Sequence, residues 1–273
     1  MVDIQGAFAF VDEQGTALER ALMRYALGAV QAQSVIDELA AYRDEQGGWA
    51  GLVPGCPPGL PLVASCCRAL QVLRWLSADS HPMVDRTATY LAGRQHADGY
   101  WDEDPAANGQ TLAPWMQPGT EQNRLWLTAA VARMLLETGH ETEVYFGRAL
   151  RTLTQAWEAG AFWGRGGPLR PLWMMMPLFQ QGGLAQDKPL VEACMVRLWS
   201  AVLFEELDAM EVTTVAHAAL STRYAGNHLY LAARNRVLGN QQADGGWATD
   251  YGEDYRAAAT VDAVMLLRNG GLL

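Results

Sequence analysis

The sequence predicts an all-α fold, an α/α toroid of the α6/α6 type with about eleven helices in two concentric layers. Three observations predict it. A loop motif recurs at intervals of about fifty residues, apolar and amphipathic segments of helical length alternate between its copies, and the alternating pattern of β-strands is missing.

The motif is clearest in "RQHADGYWDED" (94–104) and "NQQADGGWATD" (240–250), which share Gln-x-x-Asp-Gly-x-Trp. "RDEQGGW" (43–49) keeps Gly47 and Trp49, with Arg43 in the place of Gln and Gln46 in the place of Asp. "QAWEAGAFW" (155–163) keeps a Gln, a Gly and an aromatic end, with one residue inserted. The step from Trp49 to Trp101 is one unit of two helices and their loops; the step from Trp101 to Trp247 is close to three.

The segments between the motifs fill these units. Residues 61–76 and 124–138 are apolar nearly all round and read as inner helices. Residues 83–95 and 229–241 carry charge along one side and read as outer helices. Inner helices are placed near 17–31, 61–77, 123–138, 168–181, 209–221 and 255–268. Outer helices are placed near 33–43, 83–95, 142–157, 188–201 and 227–240. The last inner helix is left without a full outer partner. Each hairpin can bury its apolar face only against its neighbours, which favours ring closure, and no Pro/Ser-rich linker divides residues 1–273 into more than one domain.

Composition narrows the partners. Half of the 273 residues are hydrophobic, the formal charge is −10 and Lys188 is the only lysine, so no basic face exists to neutralise a nucleic-acid backbone. The first residues lack a basic segment followed by a long apolar run, and "PLWMMMPLF" (171–179) is far too short to cross a bilayer. A cytoplasmic protein with at most weak membrane association is expected. Cys56, Cys66, Cys67 and Cys194 show no CxxC pairing and read as buried thiols, and the five histidines show no metal-ligand spacing. No metal and no cofactor are expected. His217, on an apolar inner helix, reads as a core histidine with its hydrogen bonds satisfied.

The motif resembles the QW repeat of the squalene-hopene and oxidosqualene cyclase family, and the resemblance extends over most of the chain. Within the motif, Gln can hydrogen-bond loop backbone, Gly permits the turn and Trp packs across the hairpin, so Gln95, Asp98, Trp101, Gln241, Asp244 and Trp247 read as architecture. The resemblance implies an enzyme of cyclase type, isomerase or lyase, acting on an apolar polyene or prenylated small molecule in natural product biosynthesis. In that family a protonated Asp within Asp-x-Asp-Asp protonates an alkene or epoxide, and aromatic residues stabilise the cation that follows.

This sequence has no Asp-x-Asp-Asp. The nearest analogue is "DAMEVTTVA", where Asp208 and Glu211 would open an inner helix. Glu211 is the first candidate for the acid and Asp208 for its helper; Asp254 and Glu253 in "DYGED" stand in reserve, with "DEDP" a further rival. Acids at helix N-termini also cap them, and that alternative stays open here. Other loop groups expected at the same end are Asp102, Glu103, Asp104, Glu121, Arg165 and Asp250. Trp173, Met175, Trp115, Trp126 and Phe179 are candidates for the substrate-binding wall, with Pro171 and Pro177 interrupting their helix.

Protein prenyltransferase β-subunits share similar repeats, but no Asp-x-Cys zinc pair is present. The large cyclases join two such domains, so a homodimer or a second subunit would complete the pocket of this one. A non-terpenoid cyclase, a carbohydrate-active toroid and a non-catalytic lipid- or peptide-binding toroid are the competing readings.

Overall fold

The computed structural model describes residues 2–110, 112–162, 169–221 and 228–273. Among them the secondary structure is helical, with twelve α-helices, short 3-10 turns and two isolated β-bridges, Arg43 with Trp49 and Gln241 with Trp247. The architecture is all-α, consistent with the expected α/α toroid. The chain groups into two compact units, Tyr42–Cys194 and the two segments Met1–Ala41 and Met195–Leu273.

The unit formed by Tyr42–Cys194 contains α4 (Val63–Trp75), α5 (Pro82–Arg94), α6 (Glu121–Glu137), α7 (Val144–Glu158) and α8 (Leu169–Met175). Helix α6 is its centre, packing against α4, α7 and α8, while α5 covers α4. Eleven consecutive-turn positions of α6, from Asn123 to Leu135, are buried, as its all-round apolar sequence requires. Pro177 ends the regular part of the expected helix 168–181, which continues as a 3-10 turn, Met176–Gln180.

The other unit contains α1 (Ile4–Gln14), α2 (Ala17–Ala26), α3 (Ala32–Ala40), α10 (Ala209–Leu220), α11 (His228–Gly239) and α12 (Arg256–Asn269). Helix α9 (Lys188–Leu203) contributes residues to both groupings. Helix α12 is buried from Ala257 to Leu267 and packs against α2 and α10, with α11 on α10 and α3 on α2. The sequence left α12 without an outer partner. Helix α1 supplies one, packing on both α12 and α2. It begins at an Asp3 cap whose side chain accepts from the Gly6 amide, a start signal too short to stand out in the first residues.

The two full motif loops make the same bonds. The Trp101 indole N–H donates to the Leu91 carbonyl at 2.7 Å, and its backbone N–H donates to Thr128 Oγ1 at 3.0 Å. The Trp247 indole donates to Val237 at 2.7 Å, and its backbone N–H to Thr260 Oγ1 at 2.9 Å. Each Trp therefore ties the helix before the loop to the helix after it. The Gln reaches sideways. Gln95 Nε2 donates to the carbonyls of Gly99 and Tyr145, the latter in the first turn of α7, and Gln241 Nε2 donates to Gly245 and Asp3, at the start of α1. Gln241 Oε1 also accepts from the Asp3 N–H at 2.7 Å.

Glycine is required in these loops for two reasons together. Gly245 has φ +90°, and a Cβ there would lie 2.2 Å from the Gly6 carbonyl carbon in α1. The 43–49 copy keeps this approach, with Gly47 against the Arg86 carbonyl of α5 and the Trp49 indole donating to Thr87 Oγ1 at 2.7 Å. In the 155–163 copy Gln155 is an exposed residue inside α7, Gly160 keeps a positive φ of +83°, and Trp163 lies outside the described residues.

Gly245→Ala should lower unfolding stability by about 3 kcal/mol, combining left-handed backbone strain with overpacking against α1. Gly28→Ala, with φ +73° but open space around it, should cost only about 1 kcal/mol. Denaturant unfolding of the two variants checks this, and equal losses would refute the close-approach role.

Candidate functional site

The two first-choice carboxylates meet at the start of α10. Asp208 is its N-cap and Glu211 its third residue, and they form a reciprocal capping box. Asp208 Oδ1 accepts from the Glu211 N–H at 2.7 Å, and Glu211 Oε2 accepts from the Asp208 N–H at 3.2 Å. The loop after Trp247 closes over them. Thr249 Oγ1 donates to Asp208 Oδ2 at 2.7 Å, the Asp250 N–H donates to the same oxygen at 3.1 Å, and the Tyr251 hydroxyl donates to Glu211 Oε1 at 2.5 Å. Tyr251 itself leans on Tyr255, ring centroids 5.8 Å apart. The motif loop thus positions both carboxylates and brings a phenol to one of them; the sequence had not singled out Thr249 or Tyr251.

An open polar cavity of about 440 Å³ lies beside this loop, lined by Gln242, Ala243, Asp244, Ala248, Thr249, Glu253 and Arg256. Arg256 contacts both Asp244 oxygens, at 2.9 and 2.8 Å, and donates to Glu253 at 3.1 Å. Hydrogen bonds from Arg256 and the Gly246 N–H hold Asp244 below the usual carboxylate range, against the opposing pull of desolvation. The reserve acids separate here. Glu253 lines the cavity, whereas Asp254 is exposed and does not.

The wall candidates lie in the Tyr42–Cys194 unit. Trp115, Trp173, Met175 and Phe179 are buried, and Trp126 is half-buried on α6. Phe179 packs on Trp157 of α7 at 5.4 Å, and Arg170 stacks over Trp115 with its guanidinium carbon 4.3 Å from the ring centroid.

Among the described residues the most buried carboxylate lies in the rival motif "DEDP". Glu103 is 2% exposed and caps α4 from a loop forty residues away, its two oxygens accepting from the N–H groups of Val63 (2.7 Å) and Ala64 (2.8 Å). Helix α4 has no local side-chain cap at Leu62, so the distant carboxylate satisfies its orphan donors. Burial pushes the Glu103 carboxyl up to about 7, against the pull of those two bonds. Within the charged run Asp102–Asp104, nothing in the sequence separates it from its neighbours. Asp102 accepts from Arg124 and Gly119, and Asp104 from Arg94 and Ala106.

The remaining groups are structural in their contacts. His217 is buried and its Nε2 lies 3.0 Å from the Asp262 carbonyl oxygen. Glu121 stands exposed in the first turn of α6, and Arg165 lies outside the described residues. Burial raises the thiols of Cys56, Cys66, Cys67 and Cys194. Among the described residues no cluster of three or more His, Cys, Asp or Glu is arranged to hold a metal ion, and no helix is long and apolar enough to cross a membrane.

No family model matches the sequence, and no curated protein matches it. Solved structures do resemble it. A protein from Actinoplanes aligns with a TM-score of 0.58 at 15% identity, over 98% of this chain and 89% of that one. The type II terpene cyclase MstE from Scytonema, without ligand, aligns with a TM-score of 0.58 at 12% identity, over 99% of this chain and 98% of the cyclase chain. An Arg-to-Ala variant of MstE in complex with its substrate, geranylgeranyl dihydroxybenzoate, aligns with a TM-score of 0.54 at 12% identity, over 99% and 87%. At such identities the likeness establishes a shared fold.

The raised Glu103 carboxyl gives a signed pH prediction. Its folded value, about 7, exceeds its ordinary 4.5, so folding binds a proton and the associated stability is complete below about 4.5 and lost as pH rises through 7. Relative to Glu103→Gln, the parent protein should lose on the order of 3 kcal/mol between about pH 4.5 and 7.5. Unfolding measured across that range checks it; parallel stability curves would contradict it.

Proposed function

We propose that this chain is a terpenoid-cyclase-like enzyme that folds an apolar polyene or prenylated substrate and cyclises it by acid-initiated chemistry, working as a single helical domain. The recurring loop is then a QW repeat. The observation that carries the reading is the full-length likeness to a type II terpene cyclase, combined with a carboxylate pair at the start of α10 where an acid motif is expected. That the likeness spans 98% of the cyclase chain also favours activity without a second helical domain.

In this reading Glu211 delivers its proton to a terminal alkene carbon. The tertiary cation that results is attacked by the next alkene, each ring closure moves the cation along the chain, and loss of a proton ends the sequence. Asp208, fixed by Thr249 and Asp250, holds the Glu211 backbone, and Tyr251 holds its side chain. Glu253 and Asp254 are the reserve acids. Trp115, Trp126, Trp173, Met175 and Phe179 are proposed substrate contacts, their aromatic faces and polarizable sulfur suited to cationic intermediates. We assign the activity to a cytoplasmic enzyme needing no cofactor, as a monomer or a homodimer.

One observation favours a second reading. Both carboxyls of the pair are engaged as helix caps, as a cyclase that only preorganises a non-terpenoid intermediate would leave them.

Incubation with geranylgeranyl dihydroxybenzoate, squalene and prenyl diphosphates, with mass spectrometry of the products, separates the two. Glu211→Gln preserves the capping box, because Gln serves at that position as Glu does, while removing the proton. It should fold normally and lower turnover by at least about a hundredfold. Cyclised product formed equally well by Glu211→Gln would reject the acid assignment, and no polyene cyclisation at all would reject the leading reading.

A further inference from the structure

The exposed apolar side chains are not scattered. Among the described residues eight large ones stand exposed, and five of them, Val196, Trp199, Leu203, Phe204 and Leu231, fall on or next to α9 and α11 within the unit that includes Met195–Leu273. Val196, Trp199 and Leu203 follow at i, i+3 and i+7 and so share one face of α9. The Trp199 ring lies 6.3 Å from that of His228 at the start of α11, and Leu231 stands one turn after His228, which joins the two helices in one patch. Phe204, 77% exposed, is no frayed end. Helix α9 closes on Glu205 in the left-handed conformation, φ +57°, with the Glu206 N–H donating to the Ala201 carbonyl at 3.0 Å. Such a closure usually takes glycine; with Glu it costs on the order of 1 kcal/mol and fixes the direction in which Phe204 leaves the helix.

Area and charge together say what covers this patch. Its five side chains expose roughly 500 Å² between them. A stable interface takes about 800 Å² from each partner, about 60% of it apolar, so the patch supplies the apolar share of one such face. Its border carries both signs, because Arg197 donates to the two Glu206 oxygens at 3.1 and 2.6 Å and both residues stay partly exposed. A surface with an apolar centre and both halves of an ion pair at its edge is complementary to itself: a two-fold axis can set Arg197 of one copy against Glu206 of the other. A lipid surface fits less well, since Glu205 and Glu206 border the patch, Arg197 is engaged with Glu206, and the chain carries a net charge of −10.

We propose that this patch is the contact through which two copies of the chain form a two-fold symmetric dimer, with Trp199 and Phe204 as its anchors. The anchors of each copy pack on the apolar stripe of the other, and the Arg197–Glu206 pairs lie at the rim. The proposal stands apart from the cyclase reading, since none of these residues belongs to the carboxylate pair or to the proposed substrate contacts.

The test is analytical ultracentrifugation of the whole chain over a concentration series, beside Phe204→Glu, Trp199→Ser and the control Val144→Glu, each checked for folding by circular dichroism. Val144 is as exposed as Phe204 but lies on α7, away from the patch. The parent protein should sediment as two chains at micromolar concentration. Phe204→Glu should raise the dimer Kd at least about a hundredfold and Trp199→Ser at least about tenfold, while Val144→Glu should leave it within about twofold. A single-chain mass at every concentration, a dimer that Phe204→Glu and Trp199→Ser leave intact, or equal weakening by Val144→Glu would overturn the proposal. A single-chain parent that binds phosphatidylcholine vesicles, with binding abolished in Phe204→Glu, would overturn it in favour of a lipid surface.

Discussion

The bond from a buried indole N–H to a carbonyl ten residues earlier is the constraint on which the rest of the structure depends. Leu91 and Val237 lie in the last turns of α5 and α11, where backbone carbonyls lack the regular partner four residues on, and Val237 otherwise accepts only a long bond of 3.3 Å from the Asn240 N–H among the backbone bonds described. The Trp101 and Trp247 rings satisfy one such carbonyl each while removing their whole surface from water. The same residues use their backbone N–H on a threonine of the following inner helix. One side chain thereby sets the spacing of two helices, and the neighbouring Gln and Gly set the approach of a third.

Fixing the loops in this way fixes the chemistry-bearing groups beside them. Thr249, Asp250 and Tyr251 reach Asp208 and Glu211 because Trp247 anchors the chain two residues earlier. Two kinds of carboxylate result. Asp208 and Glu211 cap their own helix and remain half-buried, whereas Glu103 caps a helix far away in sequence and is sealed from solvent. Both kinds use helix N-terminal donors, so capping and reactivity draw on the same few residues.

Much of the helical plan was legible in the sequence because it is written in periods: apolar stretches for α4, α6, α10 and α12, one-sided stretches for α5 and α11, and Gln-x-x-Asp-Gly-x-Trp between them. Helix α1 was not, because what identifies it is a contact with Gln241 and Gly245 at the far end of the chain. The copy at 155–163 carries its Gln inside a helix, Gln155 in α7, as the expected outer helix 142–157 has it. At the site, the positions of Asp208 and Glu211 at the head of a helix followed from the pattern of residues around them. Glu103 and the Arg170–Trp115 stack did not, because burial and stacking across distant segments leave no periodic trace.

Native-state hydrogen exchange of the tryptophan indole N–H groups tests the loop account most directly. The Trp101 and Trp247 indoles should exchange only through openings close in free energy to global unfolding, while the partly exposed Trp199 exchanges freely. Exchange of the Trp101 and Trp247 indoles as fast as that of Trp199 would contradict the claim that these two bonds hold the helices together.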